Sequence, residues 1–424
     1  MLDLKFIRNH FPALQSSWAL MDNAGGSAPA LAVIDRMRDH MARLPWQLGA
    51  DYPASLEASK AVGEGRRSAA HLLSCETDEI QFGASSTQLV AQLARTLAGQ
   101  WRRGDEIVVT DLDHEANIGP WIRVADQHGL KIREWRMNPE TAALEMQGLE
   151  EVLSERTKLV AFTHCANVVG QIHDVSAFTK RIRAAGALSC VDGVAFAPHR
   201  RVDVQELGAD VYFASLYKTY GPHLGVMFGR REVLKTTASE NHFFVPHDSL
   251  PGRLEPGNPS YEAVSSVSGI VDYLLALDAH HDESSDPIQI GDDDARVRSA
   301  ITRSFQRIAE QEQQLVSPLL EWLDQHPSVE LIGTASPHSE HRVPTVTFTV
   351  KGFDAPEVVN ELQRDKIATR HGHFYAWRAM DRLGLHERGG VVRASLLHYN
   401  TPDEVQALTS GLERVLSTAR VNQG

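Results

Sequence analysis

Hydrophobic and polar positions follow two periodicities along the first 260 residues. Short runs rich in β-branched and aromatic residues predict buried strands, and apolar residues spaced three to four apart predict helices. The strands are predicted at 79–82, 105–110, 130–135, 158–163, 187–191 and 210–214, and the helices at 28–43, 55–74, 115–128, 149–154 and 175–185, with one more beginning near Thr87. Such alternation predicts an α/β fold with a mostly parallel sheet and helices on both of its faces.

The two ends of the chain depart from this pattern. A helix at 4–10 and a strand-like run from Trp18 precede the turn Asn23-Ala-Gly-Gly-Ser27. Beyond residue 260 we predict helices at 260–279, 295–325, 355–364 and 401–417, strands at 328–332, 343–350, 367–370 and 390–394, and an acidic, exposed and mobile loop at 280–294. We therefore expect an N-terminal segment at 1–27 that packs with a small α/β domain at 291–424, and a large domain at 28–290.

Composition narrows the class of protein. A chain of 424 residues is too long for one ordinary core, and a net charge of −13 argues against nucleic acid and polybasic membrane contacts. The three cysteines have no ligand spacing, which predicts neither disulfides nor a metal site. The sequence has neither a signal-peptide pattern nor an apolar run of membrane-spanning length. We expect a cytoplasmic globular protein.

Polar side chains follow three of the predicted strands, where open α/β sheets bind ligands. Ser85 and Ser86 follow strand 79–82 and open a helix, which is an arrangement that binds phosphate, although such serines are also ordinary helix caps. His114 follows strand 105–110 and could stack on a flat cofactor, although a lone histidine is more often a surface residue. Asn167 follows strand 158–163 and could hydrogen-bond to a ring substituent.

The next two strands end in a carboxylate and an amine. Asp192 follows strand 187–191, where a carboxylate is costly unless it is paired with a protonated pyridine nitrogen, an arginine or backbone amides. Ser215 and Lys218 follow strand 210–214. A poorly solvated lysine should have a lowered pKa, which suits a nucleophile that forms a Schiff base with an aldehyde. Together these side chains predict a pyridoxal 5′-phosphate (PLP) site.

The motifs along the chain occur in the order of a known family. They are Asp22-Asn-Ala-Gly-Gly26, Gly83-Ala-Ser-Ser86, Asp113-His-Glu-Ala-Asn-Ile-Gly-Pro-Trp121, Asn167-Val-Val-Gly170, Asp192-Gly193, Ser215-Leu-Tyr-Lys-Thr-Tyr-Gly-Pro222, Glu255-Pro-Gly-Asn258, Arg370-His-Gly-His373 and Val392-Arg-Ala-Ser-Leu396. With these motifs the sequence resembles the class V aminotransferases and cysteine desulfurase-like proteins, which are fold type I PLP-dependent enzymes. The resemblance covers roughly residues 4 to 415.

The resemblance implies a fold, a cofactor and roles for single residues. The large domain would hold PLP on a mostly parallel seven-stranded sheet, and two chains would form a homodimer with shared sites. Lys218 would carry PLP as a Schiff base and move protons, Asp192 would protonate the pyridine nitrogen, and His114 would stack on the ring. Ser85, Ser86 and Ser215 would bind the phosphate, and Asn258 would reach it from the partner subunit. A small amino-acid substrate would be contacted by Arg393, Ala24, Gly25, Asn167 and His373, with Arg393 binding its α-carboxylate.

Departures from the family bear on the reaction. Desulfurases carry a mobile cysteine shortly after Gly-His-His, where this chain has Tyr375, and none of Cys75, Cys165 and Cys190 is near in sequence. Tyr217 and Ala195 also replace the histidine and glutamine that the family usually has. We therefore expect β-elimination by a C–S lyase that uses no persulfide cysteine.

Several residues could supply the acid for that reaction. The candidates are Tyr375, Tyr217, His371 and His373. An aminotransferase and an epimerase that uses Tyr375 as its second base remain alternatives, and a non-catalytic PLP-fold binding protein is the alternative outside enzymes. We expect specificity to reside in the loops at 44–54, 238–252 and 371–380.

Overall fold

The structure, a computed structural model, describes residues 2–246, 248–282 and 288–421. Its helices are α1 Leu4–Asn9, α2 Leu31–Arg43, α3 Pro53–Leu73, α4 Ser86–Ala98, α5 Gly119–His128, α6 Met146–Val152, α7 Val175–Ala184, α8 Val204–Leu207, α9 Arg231–Thr236, α10 Tyr261–Ser266, α11 Ser268–His281, α12 Asp294–Asp324, α13 Ala355–Gln363, α14 Trp377–Leu383 and α15 Pro402–Val421. Its strands are β1 Ala19–Leu20, β2 Ile80–Gly83, β3 Glu106–Thr110, β4 Lys131–Trp135, β5 Thr157–Thr163, β6 Leu188–Asp192, β7 Val211–Ser215, β8 Gly225–Gly229, β9 Val329–Ile332, β10 Thr345–Val350, β11 Ile367–Ala368, β12 Arg370–Gly372 and β13 Val391–Ser395.

The central sheet has seven strands in the order β2-β8-β7-β6-β5-β3-β4. β8 runs antiparallel to both of its neighbours, and the other pairs are parallel. β2, β3, β5, β6 and β7 therefore end at the same edge of the sheet, and this is where the motif residues collect. The predicted α/β class and the seven-stranded, mostly parallel sheet are confirmed.

Alternate strand residues face opposite sides of the sheet, and both sides are covered by helices. On β3, Val108 packs in the largest core cluster, while Ile107 and Val109 pack in a second cluster with α4 and α5. Burial on both faces explains why these strands are continuously apolar in sequence. None of the helices in the described part of the chain combines the length and apolar character that a membrane span requires.

A smaller antiparallel sheet, β12-β13-β10-β9, forms the C-terminal layer around a separate core. The N-terminal segment packs with this C-terminal layer, because β1 pairs with β11 and Asp22 bridges to Ser395. The helix α1 of the same segment packs on the large core. The long helix α12 contributes its first half to the large core and its second half to the small one. The predicted boundary at 291 stays a prediction, and the two cores meet along this helix.

The pattern-based prediction missed or merged several elements. β8 was not predicted, because it begins directly after a Gly-Pro turn with glycine at both of its ends. The helix predicted at 260–279 is divided into α10 and α11, and the strand predicted at 367–370 is divided between two sheets. Of the loop predicted at 280–294, residues 283–287 lie outside the described part of the chain.

Candidate active site

Two adjoining cavities open at the carboxyl edge of the large sheet. The inner cavity, of about 50 Å³, is lined by the ends of β5, β6 and β7 and by residues that follow β2 and β3, including Ser86, Thr87, Asp192 and Ser215. The outer cavity, of about 310 Å³, lies between the large sheet and the small sheet and includes Arg393 and the segment His371–Tyr375. The residues that line both are His114, Asn167, Tyr217 and Lys218. Residues that are far apart in sequence therefore form one site.

Lys218 lies in a short helical turn directly after β7. Its side chain is buried, and the described part of the chain places no carboxylate within salt-bridge distance of its amine. Burial and the positive charge of Arg393 together lower the pKa of Lys218 to about 8, against the opposing negative charges of Asp192 and Asp22. The amine is consequently neutral more often than that of an ordinary lysine, as a nucleophile requires.

Asp192 ends β6 and points into the inner cavity. One carboxylate oxygen accepts a hydrogen bond of 2.9 Å from the backbone N–H of Val194. Burial raises the pKa of Asp192, the Val194 hydrogen bond and the charge of Lys218 oppose that shift, and no arginine pairs with the carboxylate in the described residues. A half-buried carboxylate without a cationic partner in the described residues fits a cationic ring nitrogen.

His114 stands at the wall between the two cavities on a loop that Asp113 fixes. Asp113 is buried and accepts hydrogen bonds from Thr110 and from Asn117 Nδ2, the latter at 2.7 Å. The Nδ1 atom of His114 accepts from the N–H of Ala116, so the neutral ring carries its proton on Nε2. Burial lowers the pKa of His114 to about 4, with Lys218 and Arg393 adding to the shift. The imidazole at this wall is therefore neutral, and the predicted stacking of His114 on a cofactor ring stays a prediction.

The hydroxyl groups of Ser86 and Ser215 are 2.8 Å apart in the inner cavity, at the N-terminus of α4. Thr87, which the sequence interpretation did not select, lines the same end. Gly225 allows this approach, because a Cβ atom there would lie 2.5 Å from the backbone nitrogen of Ser86. The hydroxyl of Ser85 instead caps α4 by accepting from the N–H of Gln88. A role of Ser85 in binding phosphate stays a prediction.

Arg393 lies on β13 at the floor of the outer cavity and is 2% exposed. Its guanidinium donates to Asp22 Oδ1 at 2.9 Å and to the backbone oxygen of Asn167 at 3.2 Å. Arg370 approaches the other oxygen of Asp22 at 3.6 Å. The Nε atom of Arg393 and the Oδ1 atom of Asn167 are buried and have no hydrogen-bond partner among the described residues. Buried polar atoms are normally paired, so both are available to a ligand.

The remaining predicted substrate contacts line the same outer cavity. Ala24 and Gly25 lie on one wall, and His371, His373 and Tyr375 lie on the other. Tyr375 is 64% exposed, and its ring stacks on His114 with the centroids 5.0 Å apart. The structure therefore places Tyr375 at the mouth of the site, above the imidazole.

Asn258 and the three cysteines do not line the outer cavity. Asn258 lines a separate cavity with Gly83, Ala84 and His223, and it does not reach Lys218 within one chain. All three cysteines are buried. Cys165, which the sequence places far from Tyr375, does line the inner cavity, where burial raises the pKa of its thiol to about 12.

The groups in the two cavities match the parts of PLP. With PLP bound, Lys218 would offer an amine to its aldehyde, Asp192 a carboxylate to its ring nitrogen and His114 a face to its ring, while Ser86 and Ser215 would offer hydroxyls to its phosphate. The raised pKa of Asp192 and the partnerless Oδ1 of Asn167 are what such a site has before a ligand supplies their partners. Fold and site together define a fold type I PLP-dependent enzyme.

Comparison with known proteins gives the family. The model of the family described as aminotransferase class-V matches residues 19–286 and 299–408. The aminotransferase-like protein FGM3 of Gibberella zeae is 37% identical over 418 residues, covering 97% of this chain and 98% of that protein. The cysteine desulfurase-like protein ustD of Aspergillus flavus is 33% identical, covering 98% of this chain and 91% of that protein. The chain belongs to the class V aminotransferase family.

Solved structures agree with this assignment. A cysteine desulfurase from Thermococcus onnurineus superposes with a TM-score of 0.84 at 25% identity and covers 99% of both chains. The predicted family, the PLP cofactor and the expectation of an enzyme are therefore confirmed, and the alternative of a non-catalytic binding protein is set aside.

Proposed function

We propose that the chain is a PLP-dependent lyase that eliminates the β-substituent of a cysteine-like amino acid without a persulfide cysteine. The observation that carries this proposal is Tyr375. It brings a hydroxyl group to the mouth of the cavity that contains Lys218. A phenol supplies a proton to a leaving group, whereas it cannot accept sulfur as a thiolate does.

The buried cysteines support the same proposal. Cys75 and Cys190 have thiols whose pKa burial raises well above the ordinary value, and the pKa of Cys165 rises to about 12. Each of them therefore remains a neutral thiol, while the thiolate is the form that attacks sulfur. Within the described residues no cysteine lines the outer cavity, where the substrate would bind.

Each polar residue of the site has a role in this proposal. PLP, when bound, draws electrons from the substrate and so weakens the bonds at its Cα atom. Lys218 Nζ takes the Cα proton, and the hydroxyl of Tyr375 protonates the departing β-substituent. Asp192 keeps a proton on the pyridine nitrogen. The leaving group departs with its bonding electron pair, and water converts the released enamine into a keto acid and ammonia.

Arg393 binds the α-carboxylate of the substrate in this proposal. Its Nε–H is buried and has no partner in the part of the chain that the structure describes, and a planar guanidinium suits a carboxylate. The partnerless Oδ1 atom of Asn167 provides an acceptor beside it. Ala24 and Gly25 leave the opposite wall free of large side chains, so the substrate has room between the domains.

The test is an assay of products from a panel of amino acids, including S-methyl-L-cysteine. Elimination yields pyruvate, ammonia and the released thiol in equal amounts, and Tyr375→Phe should slow their release about 100-fold while PLP remains bound. Conversion of the cofactor to its pyridoxamine form without ammonia indicates an aminotransferase. Inversion at Cα without any product indicates an epimerase. Either result contradicts the lyase.

We also propose a homodimer, located in the cytoplasm, in which the partner completes the phosphate end of the site. Apolar side chains that lie exposed in the single chain support this, among them Met41 on α2 and Phe243 and Phe244 in the loop before Asn258. Such an exposed set is typical of an interface. Light scattering should give the mass of two chains, and the mass of one chain contradicts the proposal.

A further inference from the structure

The ring of Phe374 lies against the guanidinium of Arg393. The guanidinium carbon is 3.9 Å from the ring centroid, which is a cation–π contact. Phe374 precedes Tyr375 and packs against the large hydrophobic core. One face of the arginine is therefore covered by an aromatic ring that belongs to the wall of the outer cavity.

The backbone at this point is held in an unfavourable conformation. Phe374 and Tyr375 have φ angles of +50° and +61°, a region that bulky side chains rarely adopt. Two hydrogen bonds fix the segment, because Asn167 Nδ2 donates to the carbonyl oxygen of Phe374 at 2.9 Å and the N–H of Glu115 donates to that of Tyr375 at 2.8 Å. Strained residues of this kind persist where the surrounding structure holds them, and they are frequent at functional sites.

The covered face restricts how a ligand can approach Arg393. Its two terminal nitrogens donate to Asp22 and to the backbone of Asn167, and none of the described residues pairs with its Nε–H. With Phe374 over one face, a carboxylate has to meet the guanidinium at its edge, in the plane of the group. Asn167 contributes twice, since its amide nitrogen holds Phe374 while its amide oxygen remains free.

We propose that Phe374 is a positioning residue that sets selectivity for the substrate α-carboxylate by fixing the orientation of Arg393. This inference rests on the proposed function, in which Arg393 binds that carboxylate. Phe374 itself does not touch the reacting atoms. Its removal should therefore weaken the binding of amino acids and leave the binding of amines without a carboxylate unchanged.

The experiment compares S-methyl-L-cysteine with 2-(methylthio)ethylamine, which lacks the carboxylate, on the PLP-loaded enzyme. The Kd of each follows from the change in the near-visible absorbance of the cofactor, and KM and kcat are measured for the amino acid. Phe374→Ala should raise Kd and KM for the amino acid about tenfold, with kcat changed less than about twofold. The Kd of the amine should not change. Phe374→Tyr, which retains the aromatic face, should behave like the parent enzyme.

Two further variants distinguish a failure of the proposed role of Arg393 from a failure of the inference about Phe374. Phe6→Ala removes another half-buried ring, which stacks on His280 outside both cavities, and should leave all values unchanged. Arg393→Lys should lose the preference for the amino acid over the amine. If Arg393→Lys retains that preference, the proposed role of Arg393 fails. If Arg393→Lys loses it while Phe374→Ala retains it, or if Phe374→Ala weakens both ligands equally, the inference about Phe374 is wrong.

Discussion

The uptake of PLP should follow the titration of Lys218, because only the neutral amine attacks an aldehyde. Burial and the charge of Arg393 lower the pKa of this lysine to about 8, from an ordinary value of 10.5. At pH 7 roughly one Lys218 in ten is then neutral, against roughly one in three thousand for an ordinary lysine. The reactive fraction is therefore about 300-fold larger than that of an exposed lysine.

The assay uses enzyme from which PLP has been removed. Stopped-flow absorbance in the near-visible region follows Schiff-base formation after PLP is added at different pH values. Since the pKa is lowered, the rate constant should rise with pH, reach half of its maximum near pH 8 and level off above it. A short lysine peptide under the same conditions corrects for the titration of PLP itself, and its rate should continue to rise toward pH 10.

A variant tests the physical cause of the shift. Arg393→Met removes the positive charge that lowers the pKa of Lys218, so the midpoint should move to higher pH. Arg364→Met, at the residue directly after α13 and with a side chain that is 75% exposed, is the matched control and should leave the midpoint unchanged. A midpoint near pH 10 in the parent enzyme, or an unchanged midpoint in Arg393→Met, would refute the reasoning.

Two further predictions concern the phosphate end and the domain junction. Ser86→Ala and Ser215→Ala should each weaken PLP binding about tenfold in equilibrium dialysis. Because the two hydroxyls bond each other, the double variant should lose less binding free energy than the two single variants lose together. Additive losses of binding free energy would contradict the shared contact. Glu312→Gln on α12 should lower the unfolding free energy in urea by about 3 kcal/mol, because half-buried Arg200 loses the fully buried carboxylate that pairs with it. Exposed Glu321→Gln on the same helix is the control, and equal effects of the two would refute this.

The sequence predicted the parts of the site that follow strands. Asp192 and Ser215 end the buried strands β6 and β7, Lys218 follows β7 in a short turn, and parallel strands bring their carboxyl ends to one edge. Periodicity located these strands because they are apolar on both faces. β8 was not predicted, because it begins with a glycine, which is typical of a turn. In the structure this glycine leaves room for the backbone of Ser86.

The sequence pattern could not predict contacts between side chains from distant parts of the chain. Phe374 meets Arg393 only because two successive aromatic residues adopt a left-handed backbone, and non-glycine side chains give no sign of this. The choice between Ser85 and Ser86 depends on where α4 begins, since the helix cap takes one hydroxyl and leaves the other to the cavity. The first residue of a helix can shift by one position without changing the pattern of apolar and polar residues in the sequence.

The central claim is that Lys218 is the residue that carries the cofactor, and its most direct test is chemical mapping. Borohydride reduction of the PLP-loaded enzyme makes the Schiff-base bond permanent, and mass spectrometry of the peptides then locates the pyridoxyl group. The account predicts a single label on Lys218 and none in Lys218→Ala. A label on another lysine, or the absence of a label from enzyme that has taken up PLP, would contradict it.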